Sequence, residues 1–358
     1  PAYASVFQTN YKLLFEAKHN AIPTLGIRMN QALEETGINL GCIAQHSFST
    51  TPPWLLKPPK FNYLLYNIGI KSDTSPEHYI SLYNEIIDSC QDHKKIFTDG
   101  SKQGSAVAAS AVTVGTVLVK RLPNHASIFS AEARAILLAL DIVNQSSDNN
   151  ILILSDSLSC IKSIENRNLK NPLILEIVER LHQLQNLGHS ITFVWVPSHI
   201  GIAGNTAADA TAKAALCLQI SNSQIPHTDF KPLISSYVNS CWQQCWNTEN
   251  NNKLHAIQPT IKPVVLVHLP RRDEVLIHSL RVGHTYLTHS NLLHRERPPE
   301  CDACRLPLTV EHILISCSKY NSVRQTHFTV SSLEELFHKV NVRVLIQYIK
   351  EIGLYSKI

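Results

Sequence analysis

The chain has 358 residues, 44% of them apolar and 17% charged, proportions that exclude a largely disordered chain and leave room for two or three domains of about 100–200 residues each. Its formal charge is only +4 with 18 histidines uncounted, so any grip on nucleic acid must come from local basic patches and not from an overall polycation. No apolar run approaches the ~20 residues that cross a bilayer, and the opening residues lack a charged start followed by an apolar block, so neither secretion nor a membrane partner is expected.

Nine cysteines, an odd and mostly scattered set, argue against a disulfide framework and suit a reducing compartment. The start Pro1-Ala2-Tyr3 and a lone Met29 suggest a chain that begins inside a longer reading frame.

In chain order, weak helices are expected at Tyr11 to Ala17 and around Ile27 to Thr36. Thr51 to Ser75 reads as a loop-like linker punctuated by Pro52, Pro53, Pro58 and Pro59 around Trp54. Ser75 to Asp92 reads as a helix with Pro76 in its first turn. Lys95 to Thr98 is a short buried strand, and Ala106 to Val119, with Gly104 and Gly115 as breaks, is a meander of two more. Ser130 can cap a helix to Val143, and the continuous apolar run Ile151 to Leu154 is a strand covered on both faces. Asn171-Pro172 opens a helix that stops at Gly188, Ile191 to Val196 is the next strand, and Thr206 to Leu216 is a helix. Thr228 to Asn247 is helical and aromatic, and a polar break at Asn247 to Lys253 precedes a smaller unit. The expected division is 1–75 connector and linker, 76–93 lead-in helix, 94–218 an α/β domain, 219–259 linker and helix, and 260–358 a C-terminal unit.

Two acids fall where strands end: Asp99 after Lys95 to Thr98, and Asp156 after Ile151 to Ser155. If these strands pair in parallel through a right-handed helical crossover, both carboxylates leave the same sheet edge. Glu132, in the first turn of the crossover helix, and Asp209, in the first turn of a later helix with Lys213 one turn on, can reach that edge too. Any one of these acids alone reads as a turn or helix cap. Four together raise one another's pKa unless cations neutralise them, and divalent ions held by carboxylates hydrolyse phosphodiesters.

The words Thr98-Asp99-Gly100-Ser101, Ser130-Ala131-Glu132-Ala133, Ser155-Asp156-Ser157 and Asn205-Thr206-Ala207-Ala208-Asp209 resemble, in order, the four catalytic motifs of type 1 ribonuclease H. The resemblance covers Lys94 to about Leu216 and implies a five-stranded mixed sheet flanked by helices. It also implies endonucleolytic cleavage of the RNA strand of an RNA–DNA hybrid. Asp99, Glu132, Asp156 and Asp209 would hold two Mg²⁺ ions, with Mn²⁺ as a possible substitute and Asp99 between both ions. His199, in the glycine-bearing loop Val196 to Asn205, would assist product release as the family's loop histidine does. Ser101, Ser157 and Asn205, taken to sit on motif loops, are candidates to meet successive 2′-hydroxyls; capping helices is the other role open to them. The basic helix-loop handle that some relatives carry has no counterpart between Lys170 and Gly188.

Further on, Cys301-Asp302-Ala303-Cys304, then His312 and Cys317, give C-x₂-C-x₇-H-x₄-C, a tetrahedral donor set suited to Zn²⁺. With Leu280 to His284 and Glu311 to Cys317, this region resembles the cysteine-rich tail that follows ribonuclease H in some non-LTR retrotransposon polyproteins. The tail is either purely structural or a site for single-stranded RNA or DNA, with Arg271, Arg272, Arg281, Arg295 and Arg297 as its basic face. The same resemblance makes residues 1 to 50 a polymerase remnant, although no Tyr-x-Asp-Asp word occurs. It implies nuclear or cytoplasmic residence. The competing reading is a catalytically weak nucleic-acid-binding remnant of such a polyprotein.

Overall fold

The computed structural model describes residues 25–44, 51–52, 54–69, 74–249, 252–262 and 268–358; the helix expected at Tyr11 to Ala17, and Pro53, lie outside them. The chain divides into two compact units, one up to Ile234 and one from Ser235 on.

The first unit is built on a six-stranded sheet: β1 Lys60–Asn62, β2 Lys94–Gln103, β3 Ala106–Thr113, β4 Thr116–Leu122, β5 Asn150–Ser155 and β6 Ser190–Trp195, in the order β1-β6-β5-β2-β3-β4. β2, β5, β6 and β1 run parallel, while β3 runs antiparallel between β2 and β4. The helices are α1 Leu25–Thr36, α2 Leu64–Asn67, α3 Pro76–Asp88, α4 Ile128–Asn144, α5 Leu158–Glu165, α6 Pro172–Asn186 and α7 Ala203–Ala215, followed by α8 Lys231–Thr248, which runs across the boundary at Ile234.

β5 shows why its sequence is apolar at every position. Ile151 and Ile153 face the core that α4 and α6 build with Ile136, Leu140, Ile174 and Ile177. Leu152 and Leu154 face the opposite layer with Leu65, Tyr79 and Ile86. A strand covered on both faces has no solvent side on which polar residues could alternate.

Several boundaries differ from the sequence expectation. The linker Thr51 to Ser75 contributes β1, which joins the sheet edge by pairing Phe61 with Phe193, and the short α2. Ser127, not Ser130, caps α4: its hydroxyl accepts the Ser130 N–H at 3.1 Å. The Asp229 carboxylate in turn accepts the Ser127 N–H and hydroxyl, both at 3.0 Å, so the cap is anchored from a hundred residues away. Because α4 begins at Ile128 and α7 at Ala203, Glu132 and Asp209 sit in second turns, not first. α5, directly after Asp156, has no counterpart in the sequence expectation.

The second unit holds α9 Lys253–Ile257, α10 Arg271–Val282, α11 Tyr286–His294, α12 Asn321–His327, α13 Leu333–Lys339 and α14 Val342–Glu351. Its core gathers Leu276, Ile277, Leu280, Ile313, Leu314, Leu336, Leu345 and Ile349 around buried Tyr348, whose hydroxyl donates to the Ile313 carbonyl at 3.0 Å.

Candidate active site

Parallel pairing of β2 with β5 sets Thr98 opposite Ser155, so Asp99 and Asp156 leave adjacent strands at one edge. The crossover helix α4 brings Glu132 between them. It approaches closely because residue 100 is glycine: a Cβ there would lie 2.7 Å from the Glu132 backbone nitrogen and 2.9 Å from Ala131 Cβ. The result is a trio whose donor oxygens, one each from Asp99, Glu132 and Asp156, all lie within 4.8 Å of one another.

Asp209 stands outside that trio, on α7, with its carboxylate paired to Lys213 Nζ at 2.8 Å. It lies near enough for its charge to act on Asp99 and Asp156. Two contacts fix α7 on the sheet: Ser110 Oγ donates to the Ala208 carbonyl at 2.7 Å, and Gly204 lets the helix rest on the Phe97 ring, where a Cβ would come within 2.2 Å of ring carbon.

The electrostatics are those of crowded, desolvated acids. Burial, then the Asp156 and Asp209 charges, push the Asp99 carboxyl up to about 7, with Lys213 opposing. Burial, then Asp156 and Asp99, hold Glu132 well above the usual carboxylate range, although the Gly100 backbone N–H donates to it. Asp156 is also raised by burial, and is held down in part by a hydrogen bond from Asn205, its own backbone N–H and the nearby His199. Glu132 Oε2 is buried with no hydrogen-bond partner. An orphaned acceptor among three mutually repelling carboxylates is what a hard divalent cation satisfies, so this donor set fits such an ion.

Of the other expected residues, His199 is exposed in the loop before α7 with φ +56°. Ser101 lies within β2 and Asn205 within α7, not on loops, and of the three only Ser157, the residue before α5, lies outside a strand or helix. Asn205 is buried at 4% exposure and its amide faces Asp156. Ser157 makes no side-chain cap bond to α5 and instead shares a 3.4 Å hydroxyl contact with Ser159. Trp195, absent from the sequence expectation, donates its indole N–H to the Asp156 carbonyl at 3.0 Å. Its place at the end of a strand was visible; its partner was not.

Residues 91–217 match the family model described as RNase H. This segment is an RNase H domain. The RNase H segment is 35% identical over 122 residues to the Pol polyprotein of Equine infectious anemia virus (isolate 1369), covering 33% of this chain and 10% of the viral one. Isolate CL22 matches at the same 35% over 122 residues. The chain thus spans about a tenth of the length of these relatives. Among solved structures, RNase H1 from the halophilic archaeon Halobacterium salinarum NRC-1 aligns at 22% identity and TM-score 0.28, over 35% of this chain and 97% of that one.

The second unit contains the other cluster of metal-ligating side chains among the described residues. Donor atoms of Cys301, Cys304, His312 and Cys317 lie within 4.8 Å of one another, with Cys317 Sγ at 3.7 Å from Cys301 Sγ and 3.9 Å from Cys304 Sγ. A tight turn returning Cys301 N–H…O to Leu306 at 2.8 Å forms the first half. A π-helical turn, closed by the Cys317 N–H on the His312 carbonyl at 2.7 Å, brings up the second. His312 Nδ1 meets Ser316 Oγ at 3.3 Å while its Nε2 is buried without a partner, the arrangement of a histidine whose outer nitrogen is held and whose inner one is free to ligate. Hydrogen bonding from Ser318 draws the Cys304 thiol down to about 7, while burial pushes the Cys317 thiol up to about 11.

Proposed function

We propose that the RNase H domain is a metal-dependent endonuclease that hydrolyses the RNA strand of RNA–DNA hybrids, as part of a retroelement-derived polyprotein. The observation that carries this reading is the desolvated trio Asp99, Glu132 and Asp156, with Asp209 acting on it from the neighbouring helix. These four side chains would hold a pair of Mg²⁺ ions, or Mn²⁺ in their place. When bound, such ions neutralise the phosphate, activate water and stabilise the leaving oxygen.

The chain's own residues set that up. Asn205 donates to the Asp156 carboxylate and so orients it, and Gly100 presents its N–H to Glu132. Lys213 pairs with Asp209 at 2.8 Å one turn along the same helix. His199, exposed beside Asp156, is placed to take up or deliver a proton as product leaves. Ser101 and Ser157 flank the carboxylates on β2 and before α5, where their hydroxyls can meet the 2′-hydroxyls that distinguish RNA.

In the same reading, residues 1–75 are the connector from an upstream polymerase, 76–93 the lead-in helix, 94–218 the nuclease, 219–259 the linker with its helix, and 260–358 the tail. In that tail Cys301, Cys304, His312 and Cys317 would hold a structural Zn²⁺; the unpartnered, buried Nε2 of His312 supports it.

The test is cleavage of a labelled RNA–DNA hybrid in magnesium by the wild-type chain and by Asp99→Asn, with RNA duplex and DNA duplex as controls. Cleavage of the hybrid alone, lost in Asp99→Asn, is the expected result. Hybrid binding without magnesium-dependent cleavage would replace this reading with that of a catalytically weak binding remnant.

A further inference from the structure

A chain of ring contacts leads away from the carboxylates along the sheet edge. It starts at Trp195, bonded to the Asp156 carbonyl. Tyr66 stands edge-on to the Trp195 indole with centroids 5.6 Å apart, and Tyr63 is edge-on to Tyr66 at 6.5 Å. Lys162 Nζ then lies 3.7 Å above the Tyr63 ring. Beyond it opens a groove of about 740 Å³ lined by Lys162, Asn166, Arg167, Asn168 and Lys170 and by no acid.

Both tyrosines come from the segment of β1 and α2, which adds a sixth strand to the edge of β6. Tyr63 is held by several contacts. The Tyr63 hydroxyl donates to Glu165 at 2.8 Å, Lys162 bonds the same carboxylate oxygen at 2.8 Å, and Phe61 stacks between Tyr63 and Phe193. Yet Tyr66 remains 46% exposed, an aromatic ring fixed by its neighbours and open to solvent.

Fixed, exposed rings beside a cationic groove are the elements that take single-stranded nucleic acid, because every unpaired base offers a π-face and every nucleotide a phosphate. Bases inside a duplex are already stacked and cannot use Tyr66 in this way. Glu165 pairs with Lys162 at 2.8 Å, and Lys170 adds a further positive charge to the groove's lining.

We propose that this tract binds the unpaired strand leading out of the hybrid, with a base stacked on Tyr66 and phosphates along the Lys162 to Lys170 groove. The proposal rests on the nuclease reading for the position of the hybrid, but its test reads binding and not cleavage.

The experiment uses the full chain in an Asp99→Asn background and fluorescence anisotropy with two probes. One is a blunt RNA–DNA hybrid; the other is the same core with its RNA strand extended at both ends by about eight unpaired nucleotides, within the ~4–16 that such surfaces cover. The expected result is tighter binding of the extended probe, with that preference reduced about tenfold by Tyr66→Ala, the loss of one base–ring stack, and kept by Tyr66→Phe. Lys170→Ala should flatten the salt dependence for the extended probe. Equal affinity for both probes, no binding of either, or a preference that survives Tyr66→Ala would overturn the proposal. Failure of the nuclease reading would show separately, as a wild-type chain that binds the probes and leaves the hybrid uncut in magnesium.

Discussion

Asp99→Asn should make the metal-free protein more stable while it removes activity. An aspartate whose carboxyl is moved from 3.8 to about 7 binds its proton more tightly folded than unfolded. Between those two pH values the unfolded chain is ionised and the folded one is not, so stability falls as pH rises, by roughly 1.4 kcal/mol per pH unit. Above about 7 the full penalty, about 4 kcal/mol, is in place. Asparagine never ionises; burying its amide takes back about 1–2 kcal/mol. The net gain of about 2–3 kcal/mol corresponds to a melting temperature higher by about 5–10 °C for a unit of this size. Calorimetry in chelator at pH 5 and pH 8 is the assay. The variant's advantage should be small at the lower pH and reach its maximum at the higher one. Magnesium should narrow it, because an ion that binds only the folded wild type restores what the carboxylates lose. A variant that melts at or below wild type at pH 8 in chelator would refute the view that Asp99 is strained by burial and by its neighbouring acids.

Gly204→Ala drives a methyl into the Phe97 ring and should cost about 1–3 kcal/mol in urea denaturation; adding Phe97→Leu should recover part of it. Removing His199 as His199→Ala should slow steady-state turnover by up to about a hundredfold while single-turnover cleavage persists. Metal analysis should find one zinc per chain, absent in Cys317→Ser, with the unfolding transition of the Ser235–Ile358 unit lowered and that of the other unit unmoved.

The pairing of these acids was legible because a parallel βαβ crossover leaves little freedom: once Lys95 to Thr98 and Ile151 to Ser155 are strands, Asp99 and Asp156 must share an edge. Asp99 does not end its strand, however, since β2 continues to Gln103 against β3. The cysteines and His312 were legible by spacing alone. What the sequence concealed were contacts set by distant partners. Ser130 looks like a cap because it precedes the apolar stripe, yet Asp229, a hundred residues on, selects Ser127. Asn205 reads as a loop polar residue and is instead buried against Asp156, a role that depends on where α7 begins. β1 hides in a proline-rich stretch because three residues at a sheet edge carry too short a pattern to register.

That short strand separates two boundaries that are easily equated. The family match begins at residue 91, but the folded body does not: Lys60–Asn62 covers the edge of β6, and the N–H of Ala44 and the carbonyl of Cys42 clasp Ile225 at 2.8 and 2.9 Å beyond the last matched residue. A polypeptide trimmed to the match would bare a row of unpaired amides along β6, a template for strand addition and aggregation. Within a longer polyprotein, a pivot to a preceding module would therefore lie upstream of this clasp, and the RNase H domain would turn together with the segment that covers β6.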